Sequence, residues 1–407
     1  MNLTTDRGRL RALGLGLGVL LAGGAIGAGP AMAASQSTCV YNESNKNVIV
    51  TDNSGGATMR LFTTNVGGVI GVADDPDTDV LCMNPSGTKF ARVTNAERIA
   101  IFAAPQHVPG GYRIDQNNGR FAPGVTPETD GDSEVEITLN TTGVPAELTV
   151  AGTPQRDIMS VGTNGRVNFS YDTDADIEPL TKAAKVRVTG GVGNDDIDSI
   201  GGSIFSPPAD VEVRLEGDAG NDSLFTGRST VTPVVLGGSG DDRIFTANGT
   251  RDGISGGIGT DVATIDRVDT TPFNDVETVF LGSPVGKLRL SSALIEATAG
   301  KPAPIELSWT HPKAWKQLKT VELRLSQGAD VLGTITARPA DGSVRGKGVA
   351  TLASSKLTHH GKTVTAELAV RLDRSLAGQE VRVDVLATDR QGHTQMEPQA
   401  SVIRIAK

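Results

Sequence analysis

The chain is poor in aromatic residues, cysteine and histidine. Phe, Trp and Tyr number 10, 2 and 3 in 407 residues, too little ring volume for the core of an ordinary enzyme. The two cysteines, Cys39 and Cys82, have neither C-x-x-C spacing nor a nearby histidine, so no zinc knot or dithiol redox centre is encoded. The five histidines, His107, His311, His359, His360 and His393, contain no i, i+4 pair, which removes the H-E-x-x-H metalloprotease. No G-x-S-x-G nucleophile elbow is expected either. Beyond the first 33 residues no run approaches 18 apolar residues, so no membrane span is expected. No amphipathic helix is discernible between 40 and 284. A net charge of −9 argues against a nucleic-acid partner and for cations.

Glycine and aspartate are abundant. There are 50 glycines, each of which weakens a helix interior by roughly 0.5–1 kcal/mol relative to Ala. Acidity is concentrated: residues 34–284 carry 17 Lys and Arg against 35 Asp and Glu, whereas 285–407 carry 18 against 11. The boundary falls near Gly282-Ser283-Pro284, where short apolar triplets give way to longer alternating strands.

Residues 1–33 read as a secretory signal. Arg7, Arg9 and Arg11 form a basic n-region, Ala12 to Ala28 is uncharged and apolar, and Ala31-Met32-Ala33 supplies a small-x-small cleavage pattern. The run is about 17 residues with six glycines, short for an anchor. The expectation is an exported chain at the cell surface or in the extracellular medium. In that oxidising setting Cys39 and Cys82 are expected to pair, closing a loop of about 44 residues worth on the order of 4 kcal/mol.

Short alternating strands fill the acidic part: Val135, Ile137 and Leu139; Val186 and Val188; Val211, Val213 and Leu215. Strands this short and glycine-punctuated suggest a solenoid. Four segments share one pattern: Gly190-Gly191-Val192-Gly193-Asn194-Asp195 with Ile197; Gly217-Asp218-Ala219-Gly220-Asn221-Asp222 with Leu224; Gly237-Gly238-Ser239-Gly240-Asp241-Asp242 with Ile244; and Gly256-Gly257-Ile258-Gly259-Thr260-Asp261, with Ala263 at the last apolar position. This is the nonapeptide G-G-x-G-x-D-x-U-x. Its glycines permit tight turns that stack closely, and the sixth-position carboxylates then meet carbonyl oxygens in the gap. Such a set suits Ca²⁺, which takes six to eight oxygens. Asp195, Asp222, Asp242 and Asp261 are therefore the expected carboxylate ligands, each set among its own motif's glycines.

Motif starts at 190, 217, 237 and 256 are separated by 27, 20 and 19 residues. A two-sided roll of two nonapeptides per turn has a period of about 18 residues, so the last three motifs are expected on one edge, giving two inter-turn sites. The first lies on the opposite edge unless Ser203 to Ala209 loops out, in which case a third site follows. Two other acidic runs, Asp172-Thr-Asp174-Ala-Asp176 and Asp74 to Asp79, lack a ligand frame and are read as solvated turns.

These nonapeptides resemble those of hemolysin-type (RTX) calcium-binding β-roll proteins of secreted actinobacterial type. The likeness extends loosely to Cys39-Val40-Tyr41, Val93-Thr94-Asn95-Ala96-Glu97-Arg98-Ile99, Ala175-Asp176-Ile177 and Asn274-Asp275-Val276-Glu277-Thr278-Val279. The resemblance implies degenerate coils upstream that keep the shape without the ligands. It implies no pore formation, because no long membrane-active region is present.

The basic part alternates over Val321, Leu323, Leu325; Val364 to Leu372; Val381, Val383, Val385; and Val402, Ile403, Ile405, as in an antiparallel sandwich. Val385-Leu386-Ala387-Thr388-Asp389 and Gly392 are similar to the last strands of bacterial immunoglobulin-like modules. Trp309 and Trp315 are read as core or cap, and Arg324, Arg371 and Arg382 as a solvated face, with pairing to the acidic part as the alternative.

The expected architecture is all-β: a signal peptide at 1–33, degenerate solenoid coils with a disulfide at 34–180, a right-handed parallel β-roll at 181–284, and an immunoglobulin-like β-sandwich at 285–407. The expected function is a secreted, non-enzymatic calcium-binding protein with a surface, matrix or adhesive role towards a cell-surface or extracellular polymer. The alternative is a calcium-stabilised accessory region of a secreted hydrolase.

Overall fold

Runs of three to six β-branched and apolar residues broken by glycine can form strands but not helices, and that is what the chain builds. The computed structural model describes residues 36–406 except 75–78, 105–109, 126–133, 170–174, 202–207, 228–230, 270–274, 283–284, 293 and 328–329. The signal-like segment 1–33, His107 and most of the two frameless acidic runs lie outside the described residues. The fold is all-β: apart from three single-turn 3₁₀ segments, every regular element among the described residues is a strand.

From residue 38 to 281 the strands fall into two sheets of twelve and nine. From Lys185 onward the chain alternates between them in parallel register. Lys185–Val192, Glu212–Ala219, Val234–Ser239 and Gly253–Ile258 stack in one sheet. Asp196–Asp198, Ser223–Phe225, Arg243–Phe245 and Val262–Ile265 stack in the other. Each return to the same sheet is one coil. The apolar residue two places after each motif aspartate points inward: Ile197, Leu224, Ile244 and Ala263 are in register and fully buried. Upstream, Glu147–Ala151 and Gly111–Asp115 continue the nine-stranded sheet in parallel. Cys39 and Cys82 form a disulfide, Cα atoms 4.9 Å apart. It joins the first strand of the larger sheet to the end of the smaller one at the N-terminal end of the stack.

Residues 285–406 form a four-stranded and a six-stranded sheet with a separate apolar core, centred on Trp309, Leu323, Val370 and Val383. Pairing is antiparallel except between Leu294–Thr298 and Thr394–Ala406, which run parallel. Trp309 is completely buried, while Trp315 stacks on His359 with ring centroids 3.8 Å apart.

This second part packs against the coils. Phe225 and Phe245 of the twelve-stranded sheet meet Met396, and Ile158 meets Val402. Arg382, expected on a solvated face, is 1% exposed. Its guanidinium pairs with Asp196 of the first motif coil and with Asp384, and lies 4.7 Å over the Phe225 ring. Strand alternation placed it on the outer face correctly, but that face is covered by the coils. Arg324 remains on a partly open surface beside Glu322, and Arg371 is exposed.

Candidate metal centre

All four motifs share one edge of the stack. Gly191 is in register with Asp218, Asp218 with Gly238, and Gly238 with Gly257. The Ala209 N–H bonds to the Ser199 carbonyl at 3.0 Å, so the extra length of the 27-residue step falls between these two residues; most of Ser203 to Ala209 lies outside the described residues. Motif one therefore aligns with the others.

Glycine is required where turns touch. At the fourth motif position, a Cβ on Gly240 would stand 2.0 Å from the Gly220 carbonyl oxygen, and one on Gly259 1.9 Å from that of Gly240. No side chain fits that approach. The φ angles of Gly193, Gly220, Gly240 and Gly259 lie between 130° and 156°, a range that disfavours L residues.

The sixth-position aspartates form a ladder along this edge. One carboxylate oxygen, Oδ1, accepts the backbone N–H of the aspartate one coil earlier. Asp157 N–H donates to Asp195 at 2.7 Å, Asp195 to Asp222 at 2.7 Å, Asp222 to Asp242 at 2.8 Å, and Asp242 to Asp261 at 2.8 Å. The last rung is Glu277, which accepts from Asp261 N–H at 2.7 Å. Beside it the fifth-position side chains of Asn194, Asn221 and Asp241 make a second ladder running the opposite way, each accepting the N–H of the fifth residue one coil later.

The other oxygen, Oδ2, of Asp195, Asp222, Asp242 and Asp261 is buried and has no hydrogen-bond partner. Each points at the first glycine of its own motif, beside a carbonyl oxygen of the next coil. A Cβ on Gly217 would lie 2.2 Å from Asp222 Oδ2 and 2.5 Å from the Gly237 oxygen. The same holds for Gly190 with Asp195 and the Gly217 oxygen, Gly237 with Asp242 and the Gly256 oxygen, and Gly256 with Asp261 and the Asp275 oxygen. Between turns, each bare carboxylate oxygen thus stands beside a main-chain carbonyl oxygen, with no hydrogen bond to satisfy it. The four residues are 0–2% exposed. Burial pushes the carboxyl of Asp195 up to about 8 and those of Asp222 and Asp242 to about 7, and raises that of Asp261.

One coil upstream, Gly152-Thr153-Pro154-Gln155-Arg156-Asp157 occupies the same edge. There Asp157 Oδ2 accepts from the Thr153 N–H at 2.6 Å and the Thr153 hydroxyl at 3.0 Å, and Oδ1 receives Arg120 Nη2 at 2.9 Å. This rung supplies its own cation. Asp157 and Glu277 were not singled out from sequence. Glycine one and aspartate six at 152 and 157 were the available signal for the first, and the spacing after Asp261 for the second.

Among the described residues no three His, Cys, Asp or Glu side chains converge on one point. The donor set at the ladder is instead carboxylate plus main-chain carbonyl. Contrary to the expectation that no G-x-S-x-G is present, Gly253-Ile254-Ser255-Gly256-Gly257 spells it, but the run lies within a strand, Gly253–Ile258, and the Ser255 hydroxyl donates to Asp275. It is not a nucleophile elbow. No helix among the described residues is long and apolar enough to cross a membrane.

No protein-family profile and no curated protein matches the chain. A crystal structure of a DUF4466 family protein from Parabacteroides merdae ATCC 43184 is similar over 28% of this chain and 43% of its own, at 12% identity and a TM-score of 0.15. That likeness carries no argument.

Proposed function

We propose that the acidic edge binds Ca²⁺ between successive turns and that binding completes the fold of residues 181–284. The observation that carries this reading is the row of four buried aspartate oxygens without a hydrogen-bond donor. Asp195, Asp222, Asp242 and Asp261 would hold the ions together with the carbonyl oxygens of Gly217, Gly237, Gly256 and Asp275. A hard cation neutralises buried carboxylates and accepts the oxygen ligands that no protein donor reaches. Magnitudes favour it over bare ionisation. Raising a carboxyl from 3.8 to about 7 or 8 corresponds to roughly 4–6 kcal/mol per group. Three such groups together would match the whole stability of an ordinary domain, about 5–15 kcal/mol.

In this reading residues 38–281 are a right-handed parallel β-roll with degenerate leading coils, and 285–406 an immunoglobulin-like sandwich docked on it. The protein is secreted and non-enzymatic, and acts at the cell surface or in an extracellular matrix. Export with low intracellular calcium leaves the acidic tract loose, and calcium outside locks it, coupling metal binding to folding. At ten times Kd each site contributes about 1.4 kcal/mol.

The test is far-UV circular dichroism and thermal melting in EGTA and then in calcium, with the Asp222→Asn/Asp242→Asn double variant alongside. The amide oxygens keep the ladder bonds while the charge is removed. The expected result is a wild-type melting temperature that rises steeply with calcium and a variant that melts higher in EGTA but gains less from calcium. Equal calcium responses in the two proteins would overturn the reading. Binding to cells or polysaccharide that disappears in EGTA supports a surface role; turnover of an ester, glycan or peptide panel would point to a hydrolase accessory instead.

A further inference from the structure

The coils have a second row of turns, on the side opposite the aspartate ladder, and it contains a different acidic cluster. It is formed by Thr246 to Asp252, between Arg243–Phe245 and Gly253–Ile258, and by Asp266 to Asp269, directly after Val262–Ile265. Neither segment fits the nonapeptide pattern.

Asp252 is 1% exposed and Asp269 8% exposed. Asp269 is held in place by neutral donors. Its Oδ1 accepts the Asp252 N–H at 2.9 Å, and its Oδ2 accepts the Asp266 N–H at 2.9 Å and the Thr246 hydroxyl at 3.0 Å. Asp252 is served on one side only. Its Oδ2 accepts Asn248 Nδ2 at 3.0 Å, an amide also shared with Thr226 Oγ1 and the Gly227 carbonyl. Its Oδ1 is buried with no partner. Neither carboxylate forms an ion pair with Lys or Arg among the described residues. The third acid, Asp266, is consumed locally by the Gly249 and Val268 N–H groups.

The Asp252 N–H bonds to the Asp269 carboxylate, whose charge acts on the Asp252 carboxyl, and two ionised carboxylates offer only acceptors to one another. Burial first, and then the charge of Asp269, pushes Asp252 up to about 8. Something positive must sit between them for both to be ionised at neutral pH. The side-chain groups there that could ligate a metal are hard oxygens: two carboxylates and the Thr246 hydroxyl. Hard oxygen sets select Ca²⁺ or a similar divalent ion over thiophilic or imidazole-seeking metals.

We propose that Asp252 and Asp269 form a divalent-cation site on the second row of turns, distinct from the nonapeptide ladder. It stands on its own geometry and does not require the ladder to bind metal. The site would fasten the Thr246–Asp252 turn to the turn of the next coil.

Equilibrium dialysis of the metal-free whole chain with radioactive calcium at pH 7.5 tests this. Wild type is compared with Asp252→Asn, Asp269→Asn and the Asp222→Asn/Asp242→Asn ladder variant. The expected result is one ion fewer per chain in Asp252→Asn and again in Asp269→Asn, with the ladder variant retaining that ion. Should Asp252→Asn fail to fold, Asp269→Asn gives the same count. Unchanged stoichiometry in the two cluster variants would overturn the proposal and leave a shared proton between the carboxyls. If the ladder variant binds as many ions as wild type while Asp252→Asn loses one, the ladder reading fails and this one stands.

Discussion

Asp157 and Asp222 occupy the same place in two coils of one stack, yet they are neutralised in opposite ways. Asp157 receives Arg120 and two donors from Thr153. Asp222 keeps one oxygen bare in a gap lined by carbonyls. The geometry of the turn is common to both, so shape does not require metal. What differs is whether the chain carries its own positive charge to the carboxylate or leaves the position for a cation from solution. A buried carboxylate that loses its partner costs several kcal/mol, which makes the second arrangement conditional on the medium; at Asp157 burial still raises the carboxyl, but Arg120 and Thr153 oppose it from within the chain.

The largest expected consequence is regional. On removal of calcium, amide exchange measured by mass spectrometry should rise across Lys185–Ile265, while Asn47–Val161, stapled at its N-terminal end by the Cys39–Cys82 disulfide and carrying Arg120 on Asp157, keeps its protection. The difference should amount to several kcal/mol of local opening free energy. Exchange rising equally in both regions would erase the distinction.

The pH dependence of the metal-free protein comes next. Asp195, Asp222 and Asp242 have folded-state values near 7–8, against about 3.9 unfolded. The folded state thus holds more protons between these limits, and stability falls as pH rises through that window. The melting temperature in chelator should drop from pH 5 to pH 8. Saturating calcium should flatten the slope, because the ion replaces the protons. A metal-free melting temperature that rises over this range would contradict the burial of these groups.

How much of this could be read in the sequence depends on how local the cause is. The motif aspartates and their glycines were legible because each turn imposes its own requirement, a small residue against the next backbone and a carboxylate at position six. The alternation of Val186, Val188, Val213 and Leu215 likewise marked an inward face. What could not be read depends on partners far along the chain. Arg120 reaches Asp157 across a coil, Arg382 reaches Asp196 between the two parts of the molecule, and Asp252 meets Asp269 through a turn with no repeat signature. The placement of motif one was open for the same reason: the Ser199–Ala209 hydrogen bond, which absorbs the longer spacing without changing the edge, joins residues ten apart with no motif to mark them.

A smaller effect separates the two rungs directly. Arg120→Met removes the guanidinium from Asp157 but leaves the Thr153 donors and the stem packing. Arg120 is partly exposed, with a side chain 46% accessible, so solvent screens the pair and the loss should be about 1–2 kcal/mol. The sharper readout is the calcium response. With its internal cation gone, the Asp157 rung should resemble the ladder, and the calcium-induced rise in melting temperature should exceed that of wild type. A destabilised variant with an unchanged calcium response would mean that Arg120 contributes packing alone.

The smallest effect is expected at the open end of the ladder. Glu277 accepts the Asp261 N–H at 2.7 Å but is itself exposed, so water already solvates its charge. Glu277→Gln preserves an oxygen for that bond and removes only the charge. Stability in chelator should change by no more than about 0.5 kcal/mol. Calorimetric titration should show weaker calcium binding at the last rung, with the number of ions unchanged. Loss of a whole ion would instead make Glu277 an obligatory ligand and extend the metal row to the final coil.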